Sequence, residues 1–311
     1  MEKSLRDFAA WRETSEALVL HGIIPPVVTP LHPDESLDLA TLRSHIDRML
    51  AAGAHGIFVL GTTGEFYALD DAEKQSIIAT AVAHVNGRVP VYAGTGAEST
   101  REVIRLTRMA AREGVKGVSV ITPYFIKPSQ AELVAHFRAA ADATAGDVIL
   151  YNNPATCGGL GIDPETVAML AEVPNIVGIK DSSGDLQNTI ETIRRVPPDF
   201  GVLMGRDTLI HAALAAGAKG AIPASCNIAP RLCVGIYEAF QRGDTAEAAK
   251  LQATLHPVRT ALSLGTGNGA VKESLALLGH DCGPNRRPIL PLDAAKRAKL
   301  RAVLVAAGLM V

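Results

Sequence analysis

The amino-acid sequence predicts an α/β protein, a (β/α)8 TIM barrel followed by a C-terminal helical appendix. Short runs rich in Val and Ile recur roughly every 20 to 35 residues, each followed by a segment of helical spacing with charged faces, the signature of repeated βα units. There are eight such runs. Near-continuous apolar strands alternating with helices imply a parallel sheet covered on both faces. Beyond residue 230 the strand pattern stops and only helical segments follow. The alternative architecture is an open doubly wound sheet.

The expected strands are residues 22–28, 56–60, 89–94, 117–121, 148–152, 176–181, 201–205 and 220–224, most opening at glycine or just after proline. Between them, residues 39–52, 71–85, 99–113, 129–143, 163–171, 185–195 and 208–216 read as helices, several opening on a polar residue suited to cap the first turn. Helices are also expected at 230–242, 245–262, 270–278 and 293–307. The chain thus divides into an N-terminal extension (1–20), the barrel (21–229) and C-terminal helices packed on the barrel (230–311). In the extension, Leu5, Phe8, Trp11 and Leu18 place an apolar stripe on a helix that docks, unless the segment is a frayed tail.

Length alone, 311 residues, allows one or two domains. With 48% hydrophobic and 20% charged residues, the chain has aliphatic material for a large core and no signature of disorder. Thirty basic against 32 acidic residues give a net charge of −2, too balanced to grip nucleic acid or an anionic membrane. Apolar runs such as Gly56-Ile57-Phe58-Val59-Leu60 last about five residues and none exceeds ten, where a spanning helix needs about 20. Glu2, Asp7, Arg12, Glu13 and Glu16 interrupt any secretory signal, so a cytoplasmic protein is expected. Cys157, Cys226, Cys233 and Cys282 stand far apart without a C-x-x-C pair, and no H-E-x-x-H occurs. Reduced thiols are expected, with neither metal nor cofactor.

In a parallel barrel the reacting groups sit at the carboxyl ends of strands and in the loops just after them. Three polar clusters occupy such places: Gly61-Thr62-Thr63-Gly64-Glu65, Tyr151-Asn152-Asn153-Pro154 and Lys180-Asp181-Ser182-Ser183. Glycines around Thr62 and Thr63 let the backbone turn tightly and present N–H groups and hydroxyls in one concavity, a cradle for a carboxylate, although either threonine could simply cap a helix. Lys180 ends the run Ile176-Val177-Gly178-Ile179-Lys180, an apolar setting that disfavours the ammonium form and frees an amine to attack a carbonyl; a strand-end lysine can also just snorkel to solvent. Tyr151 ends the neighbouring strand, about 5 Å away across a sheet, close enough for proton transfer. It could equally be core with its hydroxyl satisfied at the rim. Nucleotide motifs are weak: Gly94-Thr95-Gly96 lacks a third glycine, Gly265-Thr266-Gly267-Asn268-Gly269 follows a helix, and neither a P-loop lysine nor a G-x-S-x-G elbow is present.

These residues resemble the dihydrodipicolinate synthase and N-acetylneuraminate lyase family, class I aldolases and lyases that form a Schiff base. The likeness spans roughly His21 to Val311 and rests on Gly61-Thr62-Thr63-Gly64-Glu65, Tyr151-Asn152-x-Pro154 and Gly178-Ile179-Lys180-Asp181. Thr122-Pro123-Tyr124, Val271-Lys272 and Arg287-Pro288-Ile289-Leu290-Pro291 add to it. The resemblance implies that Lys180 forms the imine, that Tyr151 with Thr62 moves protons, and that Gly61, Thr62 and Thr63 hold a 2-oxo acid carboxylate. It also implies a homotetramer, a dimer of dimers. Where sialic acid lyases read sugar hydroxyls, this chain has Gly205, Asp207, Thr208 and Ala224; Ile222 is a further substrate-binding candidate. Asp207 could instead cap the next helix or form a rim salt bridge.

Two departures bear on substrate. The arginine that grips the aldehyde's distal carboxylate in the synthases is Thr156 here, and a threonine does not replace a charged, bidentate partner. The relay tyrosine that follows Tyr124 in the synthases is Phe125. Cys157, next to Thr156, either fills space or is a reactive thiol. The expected function is therefore reversible aldol cleavage of a hydroxylated 2-oxo acid to pyruvate and an aldehyde. The alternatives are a 2-oxo-3-deoxy acid dehydratase or deaminase, 4-hydroxy-tetrahydrodipicolinate synthase, and a non-catalytic barrel that binds a 2-oxo acid.

Overall fold

The computed structural model describes residues 20–310; the expected N-terminal stripe of Leu5, Phe8, Trp11 and Leu18 lies outside them. Eight strands form one parallel sheet: β1 (Gly22–Ile23), β2 (Ile57–Val59), β3 (Val91–Gly94), β4 (Gly117–Ile121), β5 (Asp147–Asn152), β6 (Ile176–Asp181), β7 (Gly201–Met204) and β8 (Gly220–Ala221). Their order is β1-β8-β7-β6-β5-β4-β3-β2. A bridge between Pro26 and Phe58 joins the two ends, with Val27 N donating to Phe58 O (2.9 Å) and Phe58 N to Pro25 O (3.0 Å). The sheet therefore closes into a barrel, and the doubly wound alternative is set aside.

Strand lengths correct the expectation at two places. The run at 22–28 pairs regularly only over Gly22–Ile23, and that at 220–224 only over Gly220–Ala221. Pro25 and Pro26 in the first run, and Pro223 in the second, lack the N–H that a ladder needs.

The ring helices are α1 (Leu39–Ala51), α2 (Asp71–Val85), α3 (Thr100–Arg112), α4 (Gln130–Ala141), α5 (Pro164–Ala171), α6 (Leu186–Arg195) and α7 (Ile210–Ala215). Asp38, Asp70, Ser99, Ser129 and Asp185 each accept a first-turn N–H, and Asp70–Glu73 and Ser129–Glu132 form complete capping boxes. The seventh helix was expected to begin at Thr208; instead a 3-10 turn, Asp207–Leu209, precedes it. α8 (Pro230–Gln241) packs on β1 and on α9 (Thr245–Ala261), so ring and appendix are continuous. α10 (Gly269–Leu277) and α11 (Ala294–Ala306) follow.

Three apolar clusters divide the labour. The largest lies between sheet and helices. A second fills the barrel interior with Ile24, Phe58, Tyr92, Ile149, Leu203 and Ile222, so the barrel is a packed core. Leu20 closes its lower end, against Gly178 and Gly201. A Cβ on Gly201 would stand 2.6 Å from Leu20 O. The third cluster, built around Val258, Leu275, Leu300 and Leu304, belongs to the appendix and reaches the barrel through Val28 and Ile228.

The appendix is also tied to the rim by polar contacts. Lys272 Nζ of α10 lies 2.8 Å from Glu65 Oε1, both side chains almost fully buried, and donates to Pro284 O at 2.7 Å. The other Glu65 oxygen accepts from Arg286 N at 2.9 Å. Arg286 in turn forks onto both oxygens of Glu73, each at 2.7 Å. Burial lowers the Lys272 pKa although Glu65 opposes that shift. Two charges removed from water are retained because each satisfies the other, so deleting one strands its partner.

Lys272→Ala is expected to destabilise the fold by about 3–5 kcal/mol, read from denaturant midpoints. The double change Glu65→Gln with Lys272→Met should recover most of that loss. A double variant no more stable than the single one would mean that the pair's charge is not what matters.

Candidate active site

β5 and β6 pair in parallel with Tyr151 opposite Lys180 and Asn152 opposite Asp181. Lys180 Nζ consequently lies over the Tyr151 ring, 4.2 Å from its centroid, with the Phe58 ring at 5.4 Å. Both Lys180 and Tyr151 are buried, so Lys180 does not snorkel to solvent. Aromatic faces offset part of the cost of holding a cation there.

The residues following them are structural. Asp181 is buried and accepts from Asn152 Nδ2 (3.0 Å), Ser183 N (3.0 Å) and Thr189 Oγ1 (2.6 Å), while Asn152 Oδ1 accepts from Ile162 N at 3.1 Å. These bonds lock the strand ends, and with them Tyr151 and Lys180.

The Tyr151 hydroxyl is 3.3 Å from Thr62 Oγ1 and accepts from Asn153 Nδ2 at 3.1 Å. Burial pushes the phenol pKa up, but the Lys180 charge and hydrogen bonds from Thr62, Ser182 and Asn153 outweigh it, and the net shift is downward. A phenol easier to ionise than usual, beside a cation, is equipped to take and return protons.

Thr62–Gly64 form a 3-10 turn with Gly61 before it, and no side chain caps it. The capping alternative for the two threonines is therefore not what occurs. Thr62 instead faces Tyr151, and the first N–H groups of the turn have no carbonyl within it. Asn268 Nδ2 donates to Thr62 O (3.0 Å) and Thr63 O (2.7 Å), holding the turn from the appendix side.

Thr62, Thr63, Tyr151, Lys180, Gly205, Asp207 and Ile222 line one open cavity of about 360 Å³. Gly61 lies in the adjoining cleft between Phe58 and Tyr151. Gly205 allows the chain to pass Ser182: a Cβ there would fall 2.0 Å from Ser182 Oγ. Asp207 caps no helix, but it forms an ion pair with Arg259, Nε to Oδ2 3.7 Å, so of the two alternatives the salt bridge is the one that occurs. It is buried, and its Oδ2 accepts from Ser225 N (2.6 Å) and Ser225 Oγ.

Two expected substrate contacts fall elsewhere. Thr156 is exposed on the 3-10 turn after β5, its hydroxyl donating to Asn153 O at 3.3 Å, and Thr208 lies in the turn before α7; neither lines the cavity. Cys157 is fully buried and donates to Thr122 O at 3.5 Å, a space-filling position.

The cavity also contains Arg206, Arg259, Ser263 and Asn268, which sequence reasoning missed. Asn268 sat in the glycine-rich 265–269 run dismissed as a failed nucleotide motif, so a signal existed but was assigned to the wrong chemistry. Arg259 projects from α9 and has no local sequence signature.

The other four tyrosines, Tyr67, Tyr92, Tyr124 and Tyr237, all have pKa values raised, with burial the largest cause. Tyr151 should therefore be the first of the five to ionise as pH rises, giving a tyrosinate absorbance step below the ordinary value of about 10. Tyr151→Phe should remove that step. Lys180→Ala should move it to higher pH, because the cation that favours the phenolate is gone; an unmoved step would show that Lys180 does not act on the phenol.

A family model for the dihydrodipicolinate synthetase family matches residues 19–307. A 4-hydroxy-tetrahydrodipicolinate synthase from Methanoculleus marisnigri is 41% identical over 293 residues, 93% of this chain and 100% of the relative. An uncharacterized DapA-like lyase from Halobacterium salinarum is 40% identical over 297 residues, 96% of this chain and 97% of the relative. Among solved structures, YagE, a prophage protein of Escherichia coli in complex with pyruvate, superposes with a TM-score of 0.90 at 37% identity, covering 94% of this chain and 100% of that one. A monomeric dihydrodipicolinate synthase variant gives a TM-score of 0.91 at 31% identity, covering 94% and 99%. With its eight-stranded parallel barrel and matches along nearly its whole length, this chain belongs to the dihydrodipicolinate synthetase family.

Proposed function

We propose that this protein is a class I lyase that forms an imine between Lys180 and pyruvate or a related 2-oxo acid, cleaving a hydroxylated 2-oxo acid reversibly to pyruvate and an aldehyde. The observation that carries this is the stack of Lys180 on Tyr151, whose hydroxyl meets Thr62 and Asn153. The Lys180 amine adds to the C2 carbonyl and water leaves, giving an iminium. The C4 hydroxyl loses its proton to Tyr151, the C3–C4 bond breaks, and its electron pair enters the iminium as an enamine while the aldehyde departs. Protonation at C3 and hydrolysis return pyruvate and the free amine. Thr62 and Thr63, held by Asn268, are the proposed carboxylate cradle.

If a C3 proton is removed from the same iminium instead of the C3–C4 bond breaking, the resulting enamine can expel a leaving group from C4 with its bonding pair, which would give a dehydratase or deaminase. The synthase reaction is less well supported: Thr156 is neutral and exposed, and offers no grip on a second carboxylate from that loop. We further propose a homotetramer, a dimer of dimers, favoured by the exposed apolar side chains of Tyr67, Phe125 and Ile126. No helix among the described residues is long and apolar enough to cross a membrane. The four free, buried cysteines suit the reducing cytoplasm in which we place the protein.

Borohydride in the presence of pyruvate should add one reduced pyruvate to the intact mass, and Lys180→Ala should abolish the adduct. Absence of the adduct, or its survival in Lys180→Ala, would sink the imine. With a panel of 2-oxo acids assayed for release of pyruvate, ammonia or water, Tyr151→Phe should lower turnover about 10²–10⁴-fold on whichever compound reacts.

A further inference from the structure

The geometry points to a second anion subsite, built by Arg206 and Arg259 on the side of the cavity formed by the loop after β7 and helix α9, so that the substrate carries a negative charge beyond its 2-oxo acid carboxylate. The inference rests on the imine at Lys180 proposed above. The charged residues lining the cavity are Lys180, Arg206, Arg259 and Asp207, three cations against one carboxylate. A monoanionic 2-oxo acid, seated by Thr62 and Thr63, leaves that excess only partly neutralised.

The one carboxylate present takes its hydrogen bonds from Ser225 and not from either arginine. Asp207 Oδ2 takes two donors from Ser225 and forms an ion pair with Arg259 Nε at 3.7 Å, too long for a hydrogen bond. Arg259 Nε is shielded from solvent and has no hydrogen-bond partner among the described residues. Arg206, unlike Arg259, has no ion-pair partner among them. A guanidinium with donors unspent inside a cavity matches a planar carboxylate or a phosphoryl group, each able to accept two parallel N–H bonds.

The position also answers what Thr156 lacks. An anionic group cannot be held by that exposed threonine, whereas an arginine pair sits across the β7 side of the same cavity as Lys180. Arg259 comes from the appendix, so the part of the chain that steadies the threonine turn through Asn268 would also select the substrate.

The test uses three six-carbon 2-oxo-3-deoxy acids that differ only in the terminal group: alcohol, carboxylate or phosphate. Each competes with isotopically labelled pyruvate for borohydride trapping, and adduct masses tell the compounds apart. At least one charged form is expected to compete about tenfold or more better than the alcohol, and the carboxylate–phosphate contrast identifies which anion fits. The preference, measured relative to each protein's own labelled-pyruvate adduct, should fall toward unity in Arg206→Gln and in Arg259→Gln. Should Arg259→Gln not fold, Arg206→Gln decides.

An alcohol form that competes as well as both charged forms overturns the subsite, as does a preference that survives in the variants. Either result, with the pyruvate adduct intact, leaves the imine standing. Loss of the pyruvate adduct in the unaltered protein overturns the imine and the subsite together.

Discussion

The parallel register between β5 and β6 is the constraint on which the site depends. Because Tyr151 is the Cα partner of Lys180, closure of the barrel alone stacks the lysine on the phenol. A slip of one residue in either strand would turn that strand's side chain to the opposite face and separate Lys180 from Tyr151. The bracket of Asn152, Asp181, Ser183 and Thr189 opposes such a shift from immediately beyond the strand ends. Polar residues next to the proposed catalytic pair thus serve largely to immobilise it.

The rim is not self-sufficient. The threonine turn owes its position to Asn268, and the adjacent Glu65 has its charge matched by Lys272 from the same helical appendix. Glu65 also adopts a left-handed backbone, φ 56°, which is costly for a residue with a side chain and persists only where the surroundings over-determine it. The appendix therefore acts as a brace on the threonine turn, and its separate apolar core gives that brace a fixed base.

Electrostatics divides the cavity into two functions. Around Tyr151, a cation and several donors favour the phenolate despite burial, which suits a group that must exchange protons. On the β7 and α9 side, guanidinium groups outnumber the single carboxylate. In the proposed reaction the first arrangement would serve the bond that is made or broken and the second the far end of the substrate, and the two are carried by different elements.

Most of the barrel was legible in the chain because alternation of Val- and Ile-rich runs with capped helices is a local pattern; Gly117–Ile121, Ile176–Asp181 and Asp71–Val85 fall where it places them. The strands at 22–28 and 220–224 came out short because proline within them removes ladder donors, a cue also present locally but outweighed by hydrophobicity. Lys180, Tyr151, Thr62 and Thr63 could be singled out because each ends a strand or follows one directly. Thr156 and Thr208 could not be judged that way: both stand next to residues that matter, yet their turns carry them off the cavity wall. The sequence by itself determined the repeat, the strand ends and the candidate nucleophile, since those depend on near neighbours. Tertiary structure alone decided that Asn268, Lys272 and Arg259 reach the rim, because contacts across some 50 to 200 residues of chain leave no periodic trace in the sequence.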